Sequence, residues 1–217
     1  MRDRRFIQAD VFSTTPTKGN GLVVVVEAEG LTDAQMQECA IGLVSIQTGG
    51  AVPTFVAPHT RIEAMPEAER ARIAKALHLR DADILRAARL TNGPVWHLLE
   101  LTEADAVLAV DSAPVRWPDF VGVSLIGAHP KGAVFDYEIR NISPSSGMSE
   151  DPITGSLNAA IAHWLRDQGR LDRPLIMRRG TVIGREGRVH IQADAAEPAR
   201  LLIGGHSSIV IDGIVRL

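Results

Sequence analysis

The chain has 217 residues, 45% hydrophobic and 23% charged, ordinary values for one or two globular domains with a sizeable core. A formal net charge of −3, no basic block and 4% aromatic residues argue against a nucleic-acid binder, which needs a cationic footprint and stacking rings. No stretch is apolar enough to span a membrane. The charged start, Met1-Arg2-Asp3-Arg4-Arg5, leads into alternating residues, so no signal peptide is expected. The single cysteine, Cys39, excludes an intrachain disulfide and is compatible with the cytoplasm; its apolar neighbours read it as a small buried hydrophobe.

In chain order, Phe6 to Phe12 reads as a strand, and a turn-rich connection from Thr14 to Asn20 leads to Leu22-Val23-Val24-Val25-Val26. That β-branched run predicts a buried strand, paired with the first as a hairpin. Leu31 to Gln37 carries a helix start: Thr32 and Gln35 form a capping box, and Leu31 with Met36 a hydrophobic staple. Leu43 to Gln47, the turn Thr48-Gly49-Gly50 and Val52 to Val56 predict a second hairpin. A helix follows Pro66, with Glu67 and Glu69 in its first turn and Ile73, Ala74 and Leu77 on one face, ending near His78. Asp81 caps a short helix containing Ile84 and Leu85, and Asn92-Gly93-Pro94 turns into a strand from Val95 to Leu101. Thr102 with Asp105 caps another helix through Val107 and Leu108, and Val121 to Ile126 and Ala133 to Ile142 read as strands.

The second of these delivers the chain to Ser143–Arg166, SPSSGMSEDPITGSLNAAIAHWLR. Prolines, serines and glycine make its first half a polar loop with two adjacent carboxylates, Glu150 and Asp151. Leu157, Ala160, Ile161, Trp164 and Leu165 then fall at helical spacing, so a helix starts near Gly155 and Ser156 and stops at Gly169. The N–H groups and dipole of a helix N-terminus seat a carboxylate. Thr154 and Ser156 offer hydroxyls, Gly155 lets a ligand approach the backbone, and Asp151 supplies a titratable acid within one turn. In the plainer alternative, Asp151 and Thr154 close a turn and cap the helix. Beyond Gly169, Leu175–Arg179, Thr181–Ile183, Arg188–Gln192 and Arg200–Ile203 read as a meander of short strands, and Ile209–Val215 as the last.

Glu150-Asp151-Pro152-Ile153-Thr154-Gly155-Ser156 resembles the EDPxTGS motif of the PhzF-like, phenazine-biosynthesis family. Asp10-Val11-Phe12, Lys18-Gly19-Asn20, Gly180, Arg185, Gly187-Arg188-Val189 and Gly204-Gly205-His206 agree with it in order along nearly the whole chain. The resemblance implies an α+β, diaminopimelate-epimerase-like fold: a curled mixed β-sheet around a central helix, in two similar halves with the active site between them. It further implies a cofactor-independent isomerase or epimerase acting on a small carboxylate metabolite. Asp151 and Ser156 would then be catalytic, and Thr154, Gly155 and Ser156 would bind the substrate.

The family's N-L-S-E-T motif, with its acid/base glutamate, and its F-A-G-H-P-T motif are absent, which places a deletion between about Gln37 and Glu38. The expected organisation is a truncated N-terminal half, residues 1–37 with 206–217, and a complete C-terminal half, residues 38–205. The paired thiols of racemases on this fold are also missing, and Ser156 stands at the matching helix start. Seven histidines without metal-ligand spacing predict no metal site, and Gly204-Gly205-His206 lacks the spacing of a phosphate loop. Gly184-Arg185-Glu186-Gly187-Arg188 reads as a solvated hairpin turn. Two functions follow: the isomerase, with Glu150 or Asp151 replacing the lost glutamate, or a non-catalytic small-acid binder or interaction protein. In both, an exposed half-sheet invites a homodimer.

Overall fold

A computed structural model describes residues 2–26, 29–30, 46–113, 122–143 and 150–216. The helix expected at Leu31–Gln37, Cys39, the inferred deletion point and Ser145–Gly147 of the central loop lie outside these residues.

Two sheets carry the fold. In the smaller, β1 (Asp3–Val11) lies between β2 (Asn20–Val25) and β14 (Ser207–Arg216), antiparallel to both. The chain's last described strand thus pairs with its first.

The larger sheet runs in the order β3 (Ile46–Gln47), β4 (Thr54–Val56), β13 (Leu201–Gly204), β12 (Gly187–Ala193), β11 (Leu175–Arg179), β9 (Tyr137–Ile142), β8 (Val123–Ala128), β7 (Val95–Leu101), β6 (Ile84–Thr91), β5 (Arg61–Ala64). A two-residue strand, β10 (Glu150–Asp151), adds to β9. Its parallel pairings are β7 with β8 and β9 with β11, each needing a crossover. Helix α2 (Ala104–Ala109) makes the first crossover and α3 (Gly155–Asp167) the second. A third helix, α1 (Glu67–Ala76), precedes β6.

The crossovers sort the core into two layers. Leu157 through Leu165 of α3 are all buried, Asn158 and His163 included, so this helix is covered on every side rather than along one stripe. The sheet curls around it: Leu98, Ile126, Ile139, Met177, Val189, Ile191 and Ile203 converge on it from six strands. On the outer face, α1 and α2 pack Ile73, Leu77 and Val107 against Leu99, Leu101, Leu125 and Ile142.

Several local expectations are corrected. Leu22, Val23, Val24 and Val26 are exposed rather than buried, because no described element covers that part of the smaller sheet. Ile84 and Leu85 open β6 instead of lying in a helix, with a 3-10 turn at Asp81–Asp83 before them. Thr181–Ile183 is likewise a 3-10 turn, between Gly180 (φ 74°) and Gly184 (φ 71°); two left-handed glycines break the extended run that its β-branched residues favour. Residues 133–136 are loop ahead of β9, and Glu103 rather than Thr102 occupies the N-cap of α2.

Candidate functional site

Strand alternation separates the two motif carboxylates. Glu150 pairs with Ile142 and Asp151 with Asn141, so their side chains leave β10 on opposite faces. Glu150 points outward and is sealed: Arg140 Nε and Nη2 donate to its Oε2 at 3.1 and 2.9 Å. The same guanidinium donates to the carbonyls of Val107 (3.0 Å) and Val110 (2.6 Å), locking β9 and β10 to α2. With both side chains buried in this pair, Glu150 clamps the loop and does not replace a proton-shuttling glutamate.

Asp151 points inward, 19% exposed, towards the N-terminus of α3. Asn141 Nδ2 donates to its Oδ2 at 3.3 Å, and Ser124 Oγ fixes the amide by donating to Asn141 Oδ1 at 3.2 Å. A β-carbon on Gly122 would lie 2.7 Å from that oxygen, so the glycine makes room for Asn141. Beneath the turn lies Arg179, fully buried. Its Nη2 stands 4.0 Å from Asp151 Oδ2 and donates to the Asp151 carbonyl at 3.3 Å, and its Nη1 donates to the Thr154 carbonyl at 3.3 Å. Burial pushes this guanidinium below the usual arginine range, against the pull of Asp151, Glu150 and Glu138. Its Nε has no partner among the described residues. A buried cation thus sets the position of the turn from below.

Thr154 occupies the N-cap of α3 with extended backbone, yet its hydroxyl makes no capping bond, contrary to the capping alternative. Ser156 is fixed through its backbone, where Asn92 Nδ2 donates to the carbonyl at 2.7 Å. Gly155 faces two aromatic edges: a β-carbon there would meet Phe55 at 3.3 Å and Phe12 at 3.4 Å. With no side-chain cap, the first amides of α3 are left to other acceptors, in a terminus walled by phenyl rings.

Phe12 reaches that wall at a cost, because its φ is 65°, a left-handed backbone worth about 1–3 kcal/mol of strain for a residue of this size. It is held by Arg188 N, which donates to the Phe12 carbonyl at 2.7 Å, and by Gly205, where a β-carbon would come within 2.9 Å of Phe12 Cα. The connection after it is tied down too. Gly19 N donates to the buried Asp10 Oδ2 at 2.9 Å, and Arg185 Nη1 donates to the Thr17 carbonyl at 2.7 Å. Thr15 Oγ1 donates to Glu186 Oε2 at 2.8 Å. The segment from Gly184 to Arg188 is therefore a dock for the first hairpin as well as a charged turn with Gly184, Glu186 and Arg188 exposed.

Asp151, Thr154, Gly155 and Ser156 are thus brought together, as their spacing requires. Arg179, Asn141 and Phe55 escaped the sequence reading, since nothing in a strand pattern marks a fully buried arginine or a distant aromatic. Phe12 stands in a quoted motif, but only its backbone angle reveals its role. His163 belongs to α3 and takes a hydrogen bond from Arg166 at 3.0 Å, away from these groups. No cluster of three metal-ligating side chains occurs among the described residues.

Residues 42–213 match the family model described as phenazine biosynthesis-like protein, PhzC-PhzF. The chain belongs to this family. A protein called antisense-enhancing sequence 1, from Schizosaccharomyces pombe, is 23% identical over 223 residues, 93% of this chain and 74% of that one. The crystal structure of the Bacillus anthracis PhzF-family protein superposes with a TM-score of 0.73 at 16% identity, covering 100% of both chains. A predicted epimerase of Pseudomonas aeruginosa gives 0.72 at 20%, covering 99% of each. At these identities the structures establish the fold: a diaminopimelate-epimerase-like α+β protein with a curled sheet around α3. The PhzF-family motif EDPxTGS, here Glu150–Ser156, is the turn just described.

Proposed function

We propose that this PhzF-family protein is a cofactor-independent isomerase or epimerase acting on a small metabolite with a carboxylate. The substrate carboxylate would sit on the Gly155 and Ser156 amides with the Ser156 hydroxyl as a further donor, and Thr154 would line the seat. Asp151 would hold or exchange the proton. The arrangement of α3 supports this most: its N-terminus lacks a side-chain cap, and a partly exposed carboxylate stands beside it on a fixed turn. Glu150 is occupied by Arg140, which leaves Asp151 as the acid of this motif able to meet a ligand.

The second reading is a non-catalytic small-acid binder or an interaction protein. Asp151 favours it in one respect, being engaged by Asn141 and Arg179 as a structural carboxylate would be. Both readings divide the chain into residues 1–37 with 206–217 and residues 38–205, and both include a homodimer that covers the exposed smaller sheet.

Solvent-deuterium wash-in to candidate cyclic and amino-acid carboxylates, followed by NMR, separates them. The isomerase exchanges a carbon-bound proton, and Asp151→Asn slows that exchange by about 10²–10⁴-fold. Line broadening of a carboxylate without exchange in the wild type rejects the isomerase and supports the binder.

A further inference from the structure

The outer face of β11 and β12 is left open by α1 and α2, and it collects cations. Arg178 and Arg188 are direct cross-strand partners, and both project on the face opposite α3, since Met177 and Val189 beside them enter the core around that helix. Like charges directly opposite one another across a ladder repel. Neither guanidinium has a hydrogen bond or an ion pair to a carboxylate among the described residues. Both instead lie over one ring: the Phe135 centroid is 5.1 Å from the Arg178 guanidinium carbon and 5.3 Å from that of Arg188. Stacking on a shared aromatic holds two forks side by side with their N–H edges free.

The neighbouring acids are already engaged. Glu138, opposite Arg178 on β9, is fully buried; Thr181 Oγ1 donates to its Oε1 at 2.6 Å and His129 Nε2 lies 3.1 Å from its Oε2. Asp136 accepts from Ile176 N at 2.7 Å and pairs with Arg173. His190, two residues from Arg188 on the same face, has its pKa lowered by burial and then by the charges of His206 and Arg188, which marks the local field as positive.

We infer that Arg178 and Arg188, stacked on Phe135, form a second binding site on the outer face, for a small dianion of the phosphate or dicarboxylate type. The occupant bridges the two forks and relieves their repulsion, and each guanidinium can bind an oxyanion edge with two hydrogen bonds. The site is separate from the α3 terminus yet linked to it, because the Arg188 amide holds the Phe12 carbonyl at 2.7 Å.

Titration of the whole protein with inorganic phosphate and, separately, malonate, by NMR at constant ionic strength, tests this. We expect saturable binding of at least one anion, weakened about tenfold or more in Arg178→Gln and in Arg188→Gln, and unchanged in Lys75→Gln, which removes an exposed cation of α1. Arg188 is exposed, so its variant keeps the fold. Tighter binding of phosphate assigns the site to phosphorylated ligands, and tighter binding of malonate to dicarboxylates. No saturable binding of either anion in the wild type overturns the proposal. So does binding that both arginine variants leave unchanged, or that Ser156→Ala alone removes, which would place the anion at α3 instead.

Discussion

Two adjacent carboxylates take opposite fates from one residue of strand alternation. Glu150 enters a desolvated pair, where removing one partner strands the other charge. Glu150→Gln should therefore destabilise the fold by about 3–5 kcal/mol in urea unfolding, by leaving Arg140 buried without its counter-charge. Asp151, one residue on, keeps contact with solvent and stands 4.0 Å from Arg179, so Asp151→Asn should slow exchange and cost less stability than Glu150→Gln. A measured stability loss in Asp151→Asn as large as that in Glu150→Gln would contradict this division. The sequence makes both acids conspicuous and even places them at the head of a helix. It does not say which one faces the ligand, because that depends on pairing with Asn141 and Ile142 some ten residues earlier.

At the scale of elements, α3 and the turns around it are positioned by close backbone approaches. Gly187 opens β12 against Ile153, where an added β-carbon would lie 2.7 Å from Cγ1 and 2.9 Å from the Arg179 carbonyl. The carbonyl belongs to a strand and cannot move aside, so Gly187→Ala should cost about 1–3 kcal/mol and loosen the turn that carries Asp151. Thermal unfolding and the exchange rate of the variant check both effects. The core strands and helix α3 were legible from periodicity and glycine stops. Residues 181–183 and 84–85 were not, because three or four residues carry too little pattern to distinguish a strand from a tight turn.

At the scale of the molecule, the smaller sheet exposes Leu22, Val23, Val24, Ile209 and Ile211. Leu22 and Ile209 both pair with Ala9 and so share a face. In a homodimer that buries this face, Leu22→Lys with Ile209→Lys should shift the protein to monomer in analytical ultracentrifugation; an unchanged mass would exclude this sheet as the interface. Proton linkage gives another global expectation. Burial lowers the pKa of His163 and of His190 in the folded state below the ordinary 6.5. The unfolded chain then binds more protons below that value, so stability is full above about pH 6.5 and falls as the pH drops towards the folded pKa values. Unfolding midpoints should decline between pH 7 and 5, and His190→Gln should flatten part of that slope.

The sequence by itself determined the α+β class, the position of the central helix and the family, because these rest on local periodicity and on one contiguous motif. Tertiary structure alone decided that Glu150 is a clamp, that Arg179 lies buried beneath the turn, that Phe12 is strained against Gly155, and that the valine-rich β2 is exposed. Each of these depends on which distant residue arrives opposite, and on which face a strand presents after the chain has crossed over. Local pattern records that a residue wants cover or a counter-charge; only the folded topology supplies or withholds the partner.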